Sequence, residues 1–251
     1  MSEPDRGMLS RLGHWLWGLG ADLAIFFITV WWGGLCIITI LITRRGWAAD
    51  VLGRIWARWI LAACGIHVDV DGVEHLDPRR SYVIVSNHLS NFDIWATLAA
   101  VPLNIRFVAK KELLRLPVFG QALALSNHIV IDRSHPEAAI TRINERIAAQ
   151  IDDGFCILFY AEGTRSRDGK VHAFKKGGVS LAMRTGLPVV PMSVSGTRKF
   201  LPRSHVVIRP GGRVKIVLAP PIETTNYLWE RRDELNEQVR NAVIRNYVED
   251  D

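Results

Sequence analysis

Residues 23–43 contain no charged side chain. A run of about 20 mostly apolar residues is what crossing a bilayer requires. The run starts late, is long, and is followed by Arg44-Arg45 without a small-residue cleavage pattern, so it does not read as a cleavable leader and is expected to stay in the mature protein. Trp31 and Trp32 would sit near the bilayer centre in a simple span, and basic residues (Arg6, Arg11, Arg44, Arg45) lie on both sides of the run. Tryptophan favours the headgroup level, so a re-entrant pair of helices fits better, turning at Gly33-Gly34 or over 44–46. After Gly46, Asp50, Arg54 and Arg58 recur at four-residue spacing, with Val51, Ile55, Ile60 and Leu61 facing elsewhere. That pattern reads as an amphipathic helix at an interface. Residues 1–66 are therefore expected to form an anchoring helical segment, and 67–251 a catalytic domain.

Beyond Gly65 the pattern changes to short β-rich runs at 67–70, 82–86, 106–109, 129–132, 156–160, 189–194, 206–209 and 214–218, separated by helical stretches. Strands alternating with helices imply an α/β sheet flanked by helices. Ser134 and Glu137 have capping-box spacing ahead of Ile140, Ile143, Ile147 and Ile151, which predicts a core helix. An amphipathic run over 227–247 predicts a closing helix. Cys36, Cys64 and Cys156 lie in apolar runs without metal-ligand spacing, so neither a disulfide framework, a metal site nor a cofactor is expected, and a reducing cytoplasmic face is. The net charge of +6 suits an anionic membrane or a phosphorylated substrate as well as nucleic acid, and only the location of the charges can choose.

The strand at 82–86 runs directly into Asn87-His88, and Ser90 to Asp93 has N-cap spacing before an apolar helical run at 94–101. His88 thus stands at a strand-to-helix corner. Asp93 at the third helical position could fix its tautomer and leave the other ring nitrogen to take a hydroxyl proton. Equally, Ser90 and Asp93 could do no more than cap the helix. A second segment, Glu162-Gly163-Thr164-Arg165-Ser166, ends a buried strand in a polar turn whose backbone N–H groups and Arg fork suit a phosphate. Arg167, Lys170, Lys175 and Lys176 surround it, and Arg106, Lys110, Lys111 and Arg115 lie upstream.

Asn87-His88-x-Ser90-x-x-Asp93 resembles the His-x4-Asp signature of glycerolipid acyltransferases, specifically the 1-acylglycerol-3-phosphate O-acyltransferases. Lys110-Lys111-Glu112-Leu113 with Pro117 to Gly120, Asp132-Arg133, Glu162 to Ser166 and Val189-Val190-Pro191 resemble later blocks of that family, in order. Ala161 replaces a usual proline and Tyr160 a usual phenylalanine. The resemblance implies a mixed central sheet on a two-helix membrane motif, His88 as general base and Asp93 as its orienter, supported by Asn87 and Ser90. It implies lysophosphatidic acid as acceptor, held by Lys110, Arg133, Glu162, Gly163, Thr164 and Arg165. The implied donor is acyl-CoA or acyl-carrier protein, with the bilayer as a partner, nucleic acid excluded, and the product phosphatidic acid. Oxyanion donors are expected among backbone N–H groups of the corner or of the Gly163-Thr164 turn. Rival readings are another lysolipid acceptor, thioester hydrolysis, and a noncatalytic membrane-binding protein.

Overall fold

The computed structural model describes residues 3–43, 47–131, 155–202 and 207–249. Two helices open the chain, α1 (Glu3–Thr43) and α2 (Trp47–Ala63). Strand β1 (Ile66–Asp71) follows, then β2 (Val83–Ser86), α3 (Phe92–Ala100), β3 (Asn104–Lys110), α4 (Phe119–Leu125) and β4 (Ile129–Ile131). The second half holds β5 (Phe155–Tyr160), α5 (Gly177–Thr185), β6 (Val189–Ser195), β7 (Gly212–Leu218) and α6 (Arg232–Asn246). The strands form one seven-stranded sheet in the order β1-β7-β6-β2-β5-β3-β4. Only β6 and β7 pair antiparallel, so the sheet is mixed, and β2, β5, β6 and β3 deliver their carboxyl ends to one edge.

The central strands β2 and β6 are buried along their whole length, as expected for parallel strands covered on both faces. One face packs Ile84, Leu158, Val190, Met192 and Ile216 against α2 and α3; the other packs Val83, Val85, Ile157 and Val189 against α5 and α6. The expected strand at 206–209 does not form over the described residues 207–209. There Val207 and the Ile208 carbonyl are pressed against α1 at Gly18, where a Cβ would come within 2.4 Å of the carbonyl oxygen, and Ile208 is buried. Its apolar character serves helix contact in place of sheet pairing. The helix expected from the Ser134–Glu137 pattern lies outside the described residues.

Helix α1 continues through Gly33-Gly34 without a break, so the chain reverses between Thr43 and Trp47, and α2 packs back along α1. Over Trp15–Thr43 the helix is long and apolar enough to cross a membrane, and almost none of it is buried. The helix expected from the amphipathic pattern forms as α2, and its polar stripe faces the protein. Arg54 donates to the carbonyls of Val101 (2.6 Å) and Leu103 (2.5 Å), Arg58 to that of Ala99 (3.2 Å), and Asp50 accepts from Arg106. The carbonyls at the end of α3 have no helical partners, and guanidinium groups supply them. Val51 and Trp59 point outward instead.

Candidate active site

At the end of β2, Asn87 behaves as an extra strand residue made of side-chain atoms. Its Nδ2 donates to the Val194 carbonyl at 2.8 Å and its Oδ1 accepts the Val194 N–H at 2.9 Å. The backbone of residue 87 is thereby freed to turn, which places His88 at the lip of the sheet. Helix α3 begins one residue later than expected, with Asn91 as N-cap and Asp93 the second helical residue. Ser90 Oγ approaches the Phe92 N–H at 3.4 Å but donates to the Leu201 carbonyl at 2.9 Å, tying the corner to the segment after β6.

Asp93 is fully buried, and its carboxylate is saturated. Oδ2 accepts from His88 Nδ1 (2.6 Å) and from the N–H groups of Leu89 (2.7 Å) and Ser90 (3.0 Å). Oδ1 accepts from the Thr197 hydroxyl. An acceptor-only carboxylate requires the proton on Nδ1, so in the neutral ring His88 Nε2 carries the lone pair. Capping and orientation, alternatives in the sequence, are performed together by one side chain. The His88 side chain is 15% exposed, enough to meet a substrate.

The Glu162 turn is zipped onto this corner. Ala161 N–H donates to Ser86 O (2.9 Å), Ser166 N–H to His88 O (2.8 Å), and His88 N–H to Glu162 Oε1 (2.9 Å). Glu162 also accepts from His172 N–H at 3.4 Å, and burial raises its carboxyl above the ordinary range against these N–H bonds. Gly163 holds φ +72 beneath the Lys175 side chain, where a Cβ would meet Nζ at 2.7 Å. Thr164 is exposed and Arg165 half-buried in the same turn. Lys110 ends β3 at the same sheet edge, exposed, while Arg133 lies outside the described residues. Arg106, counted with the basic cluster, is instead 1% exposed, donates to both oxygens of Asp50 and lies over the Phe155 ring at 3.9 Å. At the corner the N–H groups of residues 88, 89 and 90 are all taken, whereas the Thr164 N–H has no partner among the described residues.

Two contributors were invisible in the sequence. Thr197 follows β6 and reaches Asp93 only through the fold, though its place past the carboxyl end of a parallel strand is a usable signal. Tyr160 stacks on His88, ring centroids 4.2 Å apart and planes 16° apart, with Phe107 stacked behind it at 6.3 Å. The Tyr160 hydroxyl is buried with the Thr97 hydroxyl as its polar neighbour, and burial, then the Asp93 charge, raise its pKa well above the usual value against that contact. Among the described residues no His, Cys, Asp or Glu group could hold a metal. An apolar cavity of about 860 Å³ including its mouth lies between α1, α2, α3, α4 and β3, lined by Trp32, Trp56, Leu98, Phe107 and Phe119 among others.

The acyltransferase family model matches residues 67–195. The chain is 31% identical over 228 residues to a 1-acyl-sn-glycerol-3-phosphate acyltransferase of Limnanthes douglasii, covering 84% of this chain and 80% of that one. It is 29% identical to the mouse (Mus musculus) 1-acyl-sn-glycerol-3-phosphate acyltransferase alpha, over 72% of this chain and 63% of the relative. Among solved structures, the 1-acyl-sn-glycerophosphate acyltransferase PlsC of Thermotoga maritima superposes with a TM-score of 0.79 at 26% identity, covering 94% of this chain and 95% of that one. With the saturated His88–Asp93 corner standing within the matched region, the chain belongs to the family of 1-acyl-sn-glycerol-3-phosphate acyltransferases.

Proposed function

We propose that the protein transfers a fatty acyl group from an acyl thioester, on coenzyme A or a carrier protein, to the free hydroxyl of 1-acylglycerol-3-phosphate, giving phosphatidic acid for phospholipid synthesis. The observation that carries this reading is the geometry at His88: Nδ1 is held by Asp93 at 2.6 Å, and the bare Nε2 sits at the lip of the sheet. In the reaction Nε2 takes the proton of the acceptor hydroxyl as its oxygen attacks the thioester carbonyl carbon. The tetrahedral oxyanion collapses with cleavage of the C–S bond, and the imidazolium returns its proton to the departing thiolate. Asp93 offsets the charge that His88 acquires, a role for which its other donors hold it in place. Thr164 N–H is the free donor of the Glu162 turn for the oxyanion, while Arg165 and Lys110 hold the acceptor phosphate and Glu162 keeps the His88 backbone in place. The apolar cavity accepts an acyl chain, and α1 seats the domain in the bilayer from the cytoplasmic face.

The test is His88→Ala in detergent with lysophosphatidate and an acyl thioester, following phosphatidate and free thiol together. Loss of roughly 10²–10⁴-fold in transfer is expected, with the fold intact by circular dichroism. Unchanged transfer would refute the base assignment, and thiol release equal in the absence of acceptor would make the enzyme a hydrolase.

A further inference from the structure

Three cations crowd one side of the His88 corner with no carboxylate to answer them. Arg167 and Lys170 flank the turn around Gly169, and Arg198 reaches it from the 3₁₀ turn Thr197–Lys199 that follows β6. Arg198 Nη2 donates to the Arg167 carbonyl at 3.1 Å. Gly169 holds φ +86, a conformation that disfavours any side chain, and the Arg198 stem lies against its bare backbone. Asp168, the acid within the turn, is already engaged by Ser166 Oγ (2.9 Å), Lys170 N–H (3.1 Å) and His172 Nε2 (2.8 Å). Among the described residues Arg167, Lys170 and Arg198 have no ion-pair partner, whereas Arg80, Lys176, Arg213, Lys215 and Arg240 each meet a carboxylate. A held but uncompensated group of guanidinium and ammonium ions is a ready phosphate site.

Its position says which phosphate. Thr197, the neighbour of Arg198, is bonded to Asp93, and Ser166, the neighbour of Arg167, is bonded to His88 O. The group therefore flanks His88 on the β6 side of β2. The apolar cavity lies on the other side, toward β3, where Phe107 of its lining stacks on Tyr160. A thioester with its acyl chain in the cavity and its carbonyl at Nε2 extends its handle past His88 toward β6. We infer that Arg198, with Arg167 and Lys170, binds the phosphate of the donor's phosphopantetheine handle, apart from the acceptor phosphate assigned to Lys110 and Arg165. The inference rests on the acyl-transfer reading above. Coenzyme A and a carrier protein both carry that phosphate, as a diphosphate in one and a phosphodiester in the other.

The test is binding, which needs no turnover. The full chain in detergent, wild type and Arg198→Gln, is titrated by calorimetry with coenzyme A, 4′-phosphopantetheine, pantetheine and a holo-carrier protein, and the Arg167→Gln/Arg198→Gln pair is run beside them. The variants should bind coenzyme A and phosphopantetheine about tenfold more weakly, and pantetheine as the wild type does. In turnover the KM for acyl-CoA should rise while the KM for lysophosphatidate stays put. Equal binding of coenzyme A by wild type and variants, equal weakening of pantetheine, weakening confined to the carrier protein, or a rise confined to the acceptor KM would each overturn the assignment. Wild-type chain that binds coenzyme A through Arg198 yet acylates no lysolipid would instead remove the acyl-transfer reading and leave the phosphate site standing.

Discussion

At the scale of single residues, the corner depends on a carboxylate that accepts four hydrogen bonds from four residues of two separate segments. Asp93→Asn presents an amide N–H to His88 Nδ1, which favours the tautomer with its proton on Nε2, and leaves buried N–H groups short of an acceptor. Activity should fall by roughly 10²–10⁴-fold and stability by about 2 kcal/mol, read from kcat and thermal unfolding. A stable, active Asn variant would reduce Asp93 to a cap. Tyr160 separates ring from hydroxyl: Tyr160→Phe removes a buried hydroxyl whose polar neighbour is Thr97, and should keep kcat within a few-fold and stability within about 1 kcal/mol. Tyr160→Leu removes the face on which His88 lies and should cost about tenfold in kcat, since Asp93 alone would then orient the ring. Equal losses in both variants would mean that the hydroxyl matters. His88 and Asp93 were legible because their five-residue spacing spans a strand end and a helix start. Thr197 and the stacking of Tyr160 were not, because they meet the pair across gaps of 104 and 72 residues that only the sheet order closes.

At the scale of elements, β3 is bound to the turn before β4 by one ring, for His128 Nδ1 accepts the Phe107 N–H at 3.2 Å. Burial, and secondarily the nearby Arg106 charge, push His128 down from 6.5 to about 3, so the folded protein keeps it neutral. Below pH 6.5 the unfolded chain takes up a proton that the folded chain refuses until about pH 3. This contribution to stability is therefore complete above pH 6.5 and is lost as the pH falls through that window. From pH 7 to pH 5 the loss should reach at most about 2 kcal/mol. His128→Gln should flatten that part of the curve in thermal unfolding, and an unchanged slope would assign it to another group. The strands themselves were readable from β-rich runs bounded by turn residues, apart from 206–209, whose apolar residues answer to α1. For α2, periodicity reveals two faces but not which neighbour each one meets, and here the arginines meet the carbonyls at the end of α3.

At the scale of the whole molecule, the sheet and its two helical layers form a body to which α1 adds an outward apolar surface. Phe27, Trp31 and Ile38 are 65%, 71% and 56% exposed. Replacing the three by serine leaves the interior untouched and should move the protein from the vesicle-bound to the soluble fraction in a flotation assay. Undiminished flotation would mean that another surface holds the lipid. The length of the apolar run announced such a surface, whereas the place of the reversal, between Thr43 and Trp47, depended on α1 continuing through two glycines. One consequence of the Arg54 and Arg58 grip on α3 reaches beyond stability. Helix α3, about 13 Å long, is clasped at its carboxyl end by the anchor and carries Asp93 at the other, so it acts as a rigid lever between lipid and chemistry. On the proposed reading, that lever sets the height of His88 Nε2 over the bilayer plane, and acceptors would be sorted by the depth of their hydroxyl as well as by their charge.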